Sequence, residues 1–284
     1  MVHRSHSELK GHARLSRSIL FKAFGVAVLV SLFLVRLQGL STATPSAATP
    51  IIDRNTIEPT LAALLEAISV HAEIDVPREG AGWWTYHGHI AQVPNEVQDF
   101  AAAAALPGIN TICEVGFNAG HSAAVFLTAN PHATFYAFDL MEYPYAERMV
   151  KYMKRIFGDR LHVVKGLSSD TLPWFRTQNI TCDIFSIDGD HNYDGALRDF
   201  VQAVKIMSPG ALLIADDVSP SAAGVLKAWE DLNAHGYVVN KTCDSRDLGH
   251  WFKRWCIGTV LKSTGDLDST FDQRGRVIEH PTIF

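Results

Sequence analysis

Three carboxylates stand where two apolar runs end. Asp188 closes Asp183-Ile-Phe-Ser-Ile-Asp188, and Asp216 and Asp217 close Ala211-Leu-Leu-Ile-Ala-Asp216-Asp217. Like charges so close repel unless a cation or a shared proton neutralises them. A hard divalent ion with oxygen ligands, such as Mg²⁺, is one answer, with Asp190 as a substitute ligand. The other is that the acids cap helices, as Asp217 or Ser219 could for a helix near 221–234. His191 follows in Asp188-Gly-Asp-His191-Asn-Tyr-Asp194, three residues beyond the first of these acids. An imidazole there could take a proton from a bound hydroxyl at neutral pH. The alternative is a helix-entry histidine bonded to a neighbouring carboxylate.

A second constellation lies upstream. Ile112-Cys-Glu-Val-Gly-Phe-Asn-Ala-Gly-His-Ser122 is a short apolar run entering a turn with glycines four apart. Such a strand, breaking at Gly116 and restarting as a helix after Gly120, is the first turn of a nucleotide-binding βαβ unit. Gly116 would let a ligand approach the backbone, and Gly120 would let the next helix pack on the sheet. The spacing is not the G-x-G-x-x-G of a dinucleotide site. It suits a cofactor with no phosphate there, whose amino or cationic group meets an acid such as Glu114. Thr134-Phe-Tyr-Ala-Phe-Asp139 then ends in a carboxylate at the usual distance for binding ribose hydroxyls.

The elements that must position these groups alternate. Further apolar runs read as strands at Leu161–Lys165, Gly236–Asn240 and Cys256–Leu261, the last two pairing antiparallel. Helical patterns fall at 120–129, 145–157, 169–177 and 193–207, with an amphipathic helix at 60–74. Strands alternating with helices imply a doubly wound α/β fold: a parallel sheet covered on both faces, its polar groups gathered at the carboxyl edge.

Bulk composition bounds the rest. The chain has 284 residues, 47% of them hydrophobic, enough for one α/β domain with extensions. Its net charge of −5 and the lack of a basic stripe argue against a nucleic-acid surface. Residues 1–22 form a basic segment, and 23–40 are an apolar stretch read as a signal anchor or signal peptide, with an organelle transit peptide as the alternative. Residues 41–56 are a flexible Ser/Thr/Ala/Pro linker, 57–264 the catalytic domain with 57–110 as its cap, and 265–284 a tail. The expected location is the secretory pathway, as a single-pass type II membrane protein or secreted.

Cys113 reads as a small buried apolar residue and Cys182 as a residue without an obvious partner. Cys243 and Cys256 flank the loop between the last two strands, where either a disulfide or two free thiols fits. Sequons occur at Asn179 and Asn240. Gly82-Trp-Trp-Thr-Tyr-His-Gly-His89 gathers aromatics that could line an acceptor site or pack a cap helix.

Taken together, these motifs resemble the class I S-adenosylmethionine-dependent methyltransferases, and within them the metal-dependent O-methyltransferases of the catechol and caffeoyl-CoA type. The carriers are Glu114-x-Gly116-x-x-x-Gly120-x-Ser122, Val163-Val-Lys-Gly-Leu-Ser-Ser-Asp170 and Ile214-Ala-Asp216-Asp217-Val218. The resemblance covers about residues 57–262 and implies a seven-stranded Rossmann-like sheet with an antiparallel last strand. It implies that Glu114 meets the methionine amino group and that Gly116, Asn118, Gly120 and Ser122 line the cofactor's amino-acid end. Asp139 would bind the ribose, Ser168 and Ser169 the adenine, and Asp188 would border both cofactor and metal. Asp188, Asp216 and Asp217 would hold Mg²⁺, and His191 would stand where the catechol enzymes use a lysine base. Asp217 departs from the family's frequent Asn, and Asp-Gly-Asp-His looks more like a branch acting on sugars and natural products. The acceptor implied is a hydroxyl of a small molecule or carbohydrate. Rival readings are an NAD-type oxidoreductase and a non-catalytic lumenal binding module.

Overall fold

The computed structural model describes residues 59–73, 89–248 and 252–261. The chain divides into Met1–Ile52 and Asp53–Phe284, and every described residue belongs to the second unit. The expected membrane segment at 23–40, the linker, the tail and most of the aromatic run at 82–89 lie outside the described residues. Among the described residues, no helix is long and apolar enough to cross a membrane.

The alternation builds as anticipated. β1 (Thr111–Val115), β2 (Thr134–Asp139), β3 (Leu161–Lys165), β4 (Cys182–Ile187) and β5 (Met207–Ala215) run parallel. β7 (Phe252–Val260) pairs antiparallel with β5, and β6 (Val238–Asp247) pairs antiparallel with β7 at the edge. The seven-stranded order is β3-β2-β1-β4-β5-β7-β6. The order reverses between β1 and β4, which is where open α/β sheets bind ligands, outside the carboxyl ends of the strands.

Short apolar strands buried on both faces explain the two cores. One joins Phe185, Phe200, Leu213 and Trp229 on the side of α6 (Tyr193–Ile206) and α7 (Ala223–Ala234). The other joins Phe126, Phe135, Met149 and Trp255 under α3 (His121–Ala129) and α4 (Ala146–Phe157). The cap helix α1 (Pro59–Glu73) adds Leu61, Leu65 and Ile68 to this second core. Its Ser69 hydroxyl pairs with Nε2 of His121 at 3.0 Å, and His89 stacks on His121. Burial pushes His89 down to about 4 and His121 to about 3, so both rings are neutral and serve to dock the cap.

Three features differ from the sequence reading. A helix, α2 (Pro94–Ala104), occupies a stretch to which no element had been given. Pro94 at its first turn and Val97, Phe100 and Ala104 at helical spacing are its signals. β6 and β7 extend well past 236–240 and 256–261, because edge residues such as Lys241, Thr242, Ser245 and Asp247 face solvent and hide the strand's period. Cys113 and Cys182 are joined in a disulfide across the neighbouring strands β1 and β4, which corrects the reading of both as unpaired. Cys243 and Cys256 are also bonded, directly opposite each other in the β6–β7 ladder.

Candidate active site

The turn after β1 is shaped by two glycines in the left-handed region. Gly116 has φ +96°, and a Cβ there would collide with the carbonyl oxygen of Asp188. The close approach among the described residues is that of the β4 terminus. Gly120 has φ +91°, and its missing Cβ leaves room for the Phe117 ring at 2.8 Å and for Met153 of α4. Both glycines thus lock the turn against its neighbours.

Asp139 completes that turn. Its Oδ2 accepts the amides of Phe117 (2.7 Å) and Asn118 (2.9 Å), and its Oδ1 accepts that of Met141 (2.6 Å). A carboxylate oxygen has about two acceptor positions. Oδ2 is therefore filled, and Oδ1 keeps a position for the expected ribose hydroxyl. Asn118, at φ +50°, accepts the Tyr145 hydroxyl on its Oδ1 at 2.6 Å. Tyr143 stacks on Tyr145 with ring centroids 5.3 Å apart. Burial, then the nearby Asp139 and Asp188, raise Tyr143's pKa. This aromatic shelf was absent from the sequence reading, although Tyr143-Pro-Tyr145, beginning four residues beyond a strand-end acid, was a signal for it.

Glu114 is buried and accepts the Ser122 hydroxyl at 2.9 Å. Burial raises its pKa well above the usual carboxylate range; the Ser122 bond opposes this, and Asp188, Asp216 and Asp139 add to it. A neutral-leaning acid facing a ring of acids is poised to ionise against an incoming ammonium. Ser168 and Ser169, expected on the adenine side, open α5 (Ser168–Arg176), which follows the carboxyl end of β3.

The three aspartates do converge, but not on empty space. Lys253 of β7 places Nζ 2.6 Å from Asp216 Oδ2, 3.2 Å from Asp217 Oδ1 and 3.8 Å from Glu96 Oε1. Burial works against its charge, yet Asp216, then Glu96 and Asp217, hold its pKa well above the ordinary lysine value. Glu96 comes from α2, which is fixed to β7 by the Trp255 Nε1 bond to Asp99 at 3.0 Å. Asp216 Oδ1 also accepts the Asp217 amide at 2.7 Å. Neither Lys253 nor Glu96 figured among the expected site residues. The signal for Lys253 was topological: an antiparallel β7 begins at the edge where β5 ends.

His191 puts Nε2 3.2 Å from Asp217 Oδ2, and its side chain is 48% exposed. The Asp217 hydrogen bond is the main cause of its raised pKa. Burial alone would raise Asp217, but the His191 bond and Lys253 bring it down to about 2. Asp188 keeps an edge open to solvent, while desolvation of its carboxyl and the Asp216 charge push it up to about 7. The donor atoms of Asp188, His191 and Asp217 lie within 4.8 Å of one another. Asp190, the expected substitute ligand, accepts the Asn192 amide and side chain on Oδ1 at 2.9 and 2.8 Å.

The expected set of Asp188, Asp216 and Asp217 does not fit a divalent ion as it stands. Such an ion would share two ligands with an ammonium, and at about 4 Å and an effective dielectric of 20 the two would repel by roughly 8 kcal/mol. Helix capping does not explain the acids either, since neither Ser219 nor Ala222 makes a side-chain cap bond. Asp217 itself sits at φ +53°, in the left-handed region. A separate cavity of about 280 Å³, lined by Tyr136, His162, Trp174 and Gln178, lies towards the opposite end of the strands.

Residues 113–218 match the sequence profile of a methyltransferase domain. No curated protein sequence gives a significant match. Among solved structures, cofactor-bound Rv0187 from MTB is similar at TM-score 0.57 and 17% identity, over 78% of this chain and 100% of that one. An O-methyltransferase from Bacillus cereus in complex with SAH is similar at 0.55 and 17%, over 74% and 93%. TomG from Streptomyces achromogenes, an O-methyltransferase involved in tomaymycin synthesis, is similar at 0.55 and 20%, over 73% and 92%. At such identities these are likenesses of fold. The domain match over residues 113–218 and the strand order agree on a methyltransferase domain with the Rossmann-like methyltransferase fold.

Proposed function

We propose that the domain is an O-methyltransferase that methylates a hydroxyl of a small molecule or sugar held over Asp188, His191 and Asp217. The observation that carries this reading is the His191–Asp217 pair, 3.2 Å apart at the carboxyl edge beside the cofactor turn. S-adenosylmethionine supplies an electrophilic methyl carbon on a sulfonium. The residues from Glu114 to Ser122 and Asp139 are the candidates to hold its amino-acid end and ribose, and Ser168 and Ser169 its adenine.

The chemistry assigned to the chain is proton removal. With Nε2 engaged by Asp217, Nδ1 of His191 is the atom left to take the acceptor's proton as the oxygen bonds to the methyl carbon and the carbon–sulfur bond breaks. Asp217 fixes the ring and stabilises the imidazolium that results, an arrangement in which general-base removal is typically worth ~10²–10⁴-fold. The reading routes no step through a metal, because Lys253 occupies the carboxylates expected to bind one.

Labelled S-adenosylmethionine offered with panels of phenols and sugars is the direct test. His191→Ala should lower kcat by about 10²-fold with cofactor affinity unchanged, the pattern of a group acting in the transition state. Stabilisation by NAD with no response to S-adenosylmethionine or its product would refute the reading in favour of an oxidoreductase.

The reading extends to the compartment. All four cysteines of the chain are paired, which favours an oxidising lumen, and the sequon residues Asn179 and Asn240 are both exposed. Entry to the secretory pathway is consistent with both facts and is tested by glycosidase sensitivity of protein recovered from a secreting host.

A further inference from the structure

Metal-assisted methyl transfer needs positive charge beside the strand-end acids, and this chain already has some there. Four acids meet at one point: Glu96 from α2, Asp188 after β4, and Asp216 and Asp217 after β5. Glu96 is fully buried and Asp216 and Asp217 nearly so, and neither Glu96 oxygen has a hydrogen bond of good geometry. Buried acids at this density are tolerated only around a cation or with shared protons. The Lys253 ammonium lies among three of them, 14% exposed, at 2.6, 3.2 and 3.8 Å. Three donors on one nitrogen match three carboxylates from different elements.

The placement is built rather than incidental. β7 is the antiparallel strand, so its first residues, not its last, arrive at the carboxyl edge. Val218 donates its amide to the Arg254 carbonyl at 2.8 Å, which ties the loop after β5 to the residue following Lys253. The Asp99–Trp255 bond then sets α2, and with it Glu96, against the same strand. Removing the lysine would leave three facing carboxylates without their counter-ion, a donor set of the hard oxygen type that takes Mg²⁺ or Mn²⁺.

We propose that Lys253 stands in for the divalent ion at this site, holding Asp216 and Asp217 in place so that His191 is oriented without a metal. Lys253 is a positioning residue, acting through Asp217 on His191. The inference rests on the methyltransferase reading, and its test separates the two.

Titrate the full chain with Mn²⁺ in the presence of S-adenosylhomocysteine, following bound ion by calorimetry and the thermal midpoint in parallel. Failure of S-adenosylhomocysteine to bind would refute the methyltransferase reading and leave the Mn²⁺ result to speak for itself. Wild type should bind no stoichiometric Mn²⁺ at millimolar ion, and any methyl transfer should survive excess chelator. Lys253→Met should acquire Mn²⁺ binding, with its midpoint rising by roughly 5 °C or more at about a hundred times Kd. Lys253→Arg should resemble wild type. If Lys253→Met does not fold, the wild-type arms still decide. Stoichiometric Mn²⁺ binding by wild type that Asp188→Asn or Asp217→Asn abolishes, or loss of activity in chelator restored by Mg²⁺, would overturn the proposal. A folded Lys253→Met that gains no affinity for Mn²⁺ would overturn it equally, since the lysine would then be ordinary packing.

Discussion

Asp199→Asn should make the protein more stable at neutral pH and barely so in acid. Asp199 lies on α6, 1% exposed, and neither carboxylate oxygen makes a hydrogen bond of good geometry. Burial raises its pKa from 3.8 to about 6, against the pull of Ser168 and Arg198. A raised carboxyl pKa means that the unfolded chain gives up the proton first. Stability from this group is present below 3.8, falls as pH rises through the window from 3.8 to about 6, and is lost above it. The loss reaches roughly 1 kcal/mol at about pH 4.5 and about 3 kcal/mol at about pH 7.5, at 1.36 kcal/mol per unit. An amide has the same shape without the charge, so urea unfolding of Asp199→Asn against wild type should show a gain of that size at each pH. A gain equal at both pH values, or a loss at the higher one, would refute the argument. The cost has a place in the fold: a Cβ on Gly189 would lie 3.1 Å from Asp199 Oδ2, so the acid underlies the Asp188–His191 turn. Stability given up beneath a functional loop is a common exchange.

Gly116→Ala forces a Cβ into the Asp188 carbonyl at φ +96° and should abolish S-adenosylhomocysteine binding in a calorimetric titration; normal affinity would mean that the β1 and β4 termini are looser than described. Asp139→Ala removes three backbone acceptor bonds as well as the ribose contact, so it should cost stability of about 1–3 kcal/mol besides weakening the cofactor; a pure affinity effect would limit its role to the ribose. Peptide mapping without reductant should recover 113–182 and 243–256 pairs, and Cys113→Ala, opening a loop across 69 residues, should lower stability by roughly 4 kcal/mol. Free thiols at any of the four would contradict the pairing.

The sheet was legible because five strands announce themselves as apolar runs, four of them ending in or beside Asp, Glu or Gly, and that pattern needs no tertiary information. The turn residues Glu114, Gly116, Gly120 and Asp139 were legible as a group for the same reason, though the tight fit of Gly116 against the Asp188 carbonyl was not. What escaped were partners distant in sequence. Lys253 reaches Asp216 only because β7 reverses direction, and Glu96 arrives on a helix far from it in sequence. Cys113 finds Cys182 through strand neighbourhood across the β1–β4 switch, which no local spacing records. Charge clusters were therefore visible as acids in need of a cation, while the identity of that cation was not.

The left-handed backbone at Asp217 has a consequence for how this position is interrogated. At φ +53° a β-branched or bulky side chain is strained before it meets any substrate, whereas Asn, Asp and Gly are at ease. A saturation library at 217, sorted for folding alone, should return that narrow alphabet with no selection for turnover. Alanine there confounds two losses, a carboxylate and a comfortable backbone. Asp217→Asn keeps the conformation and removes only the charge, so at this residue the amide, not alanine, is the informative substitution. A preference for Asp or Asn at this strand end is thus overdetermined, dictated by main-chain geometry as much as by the chemistry it serves.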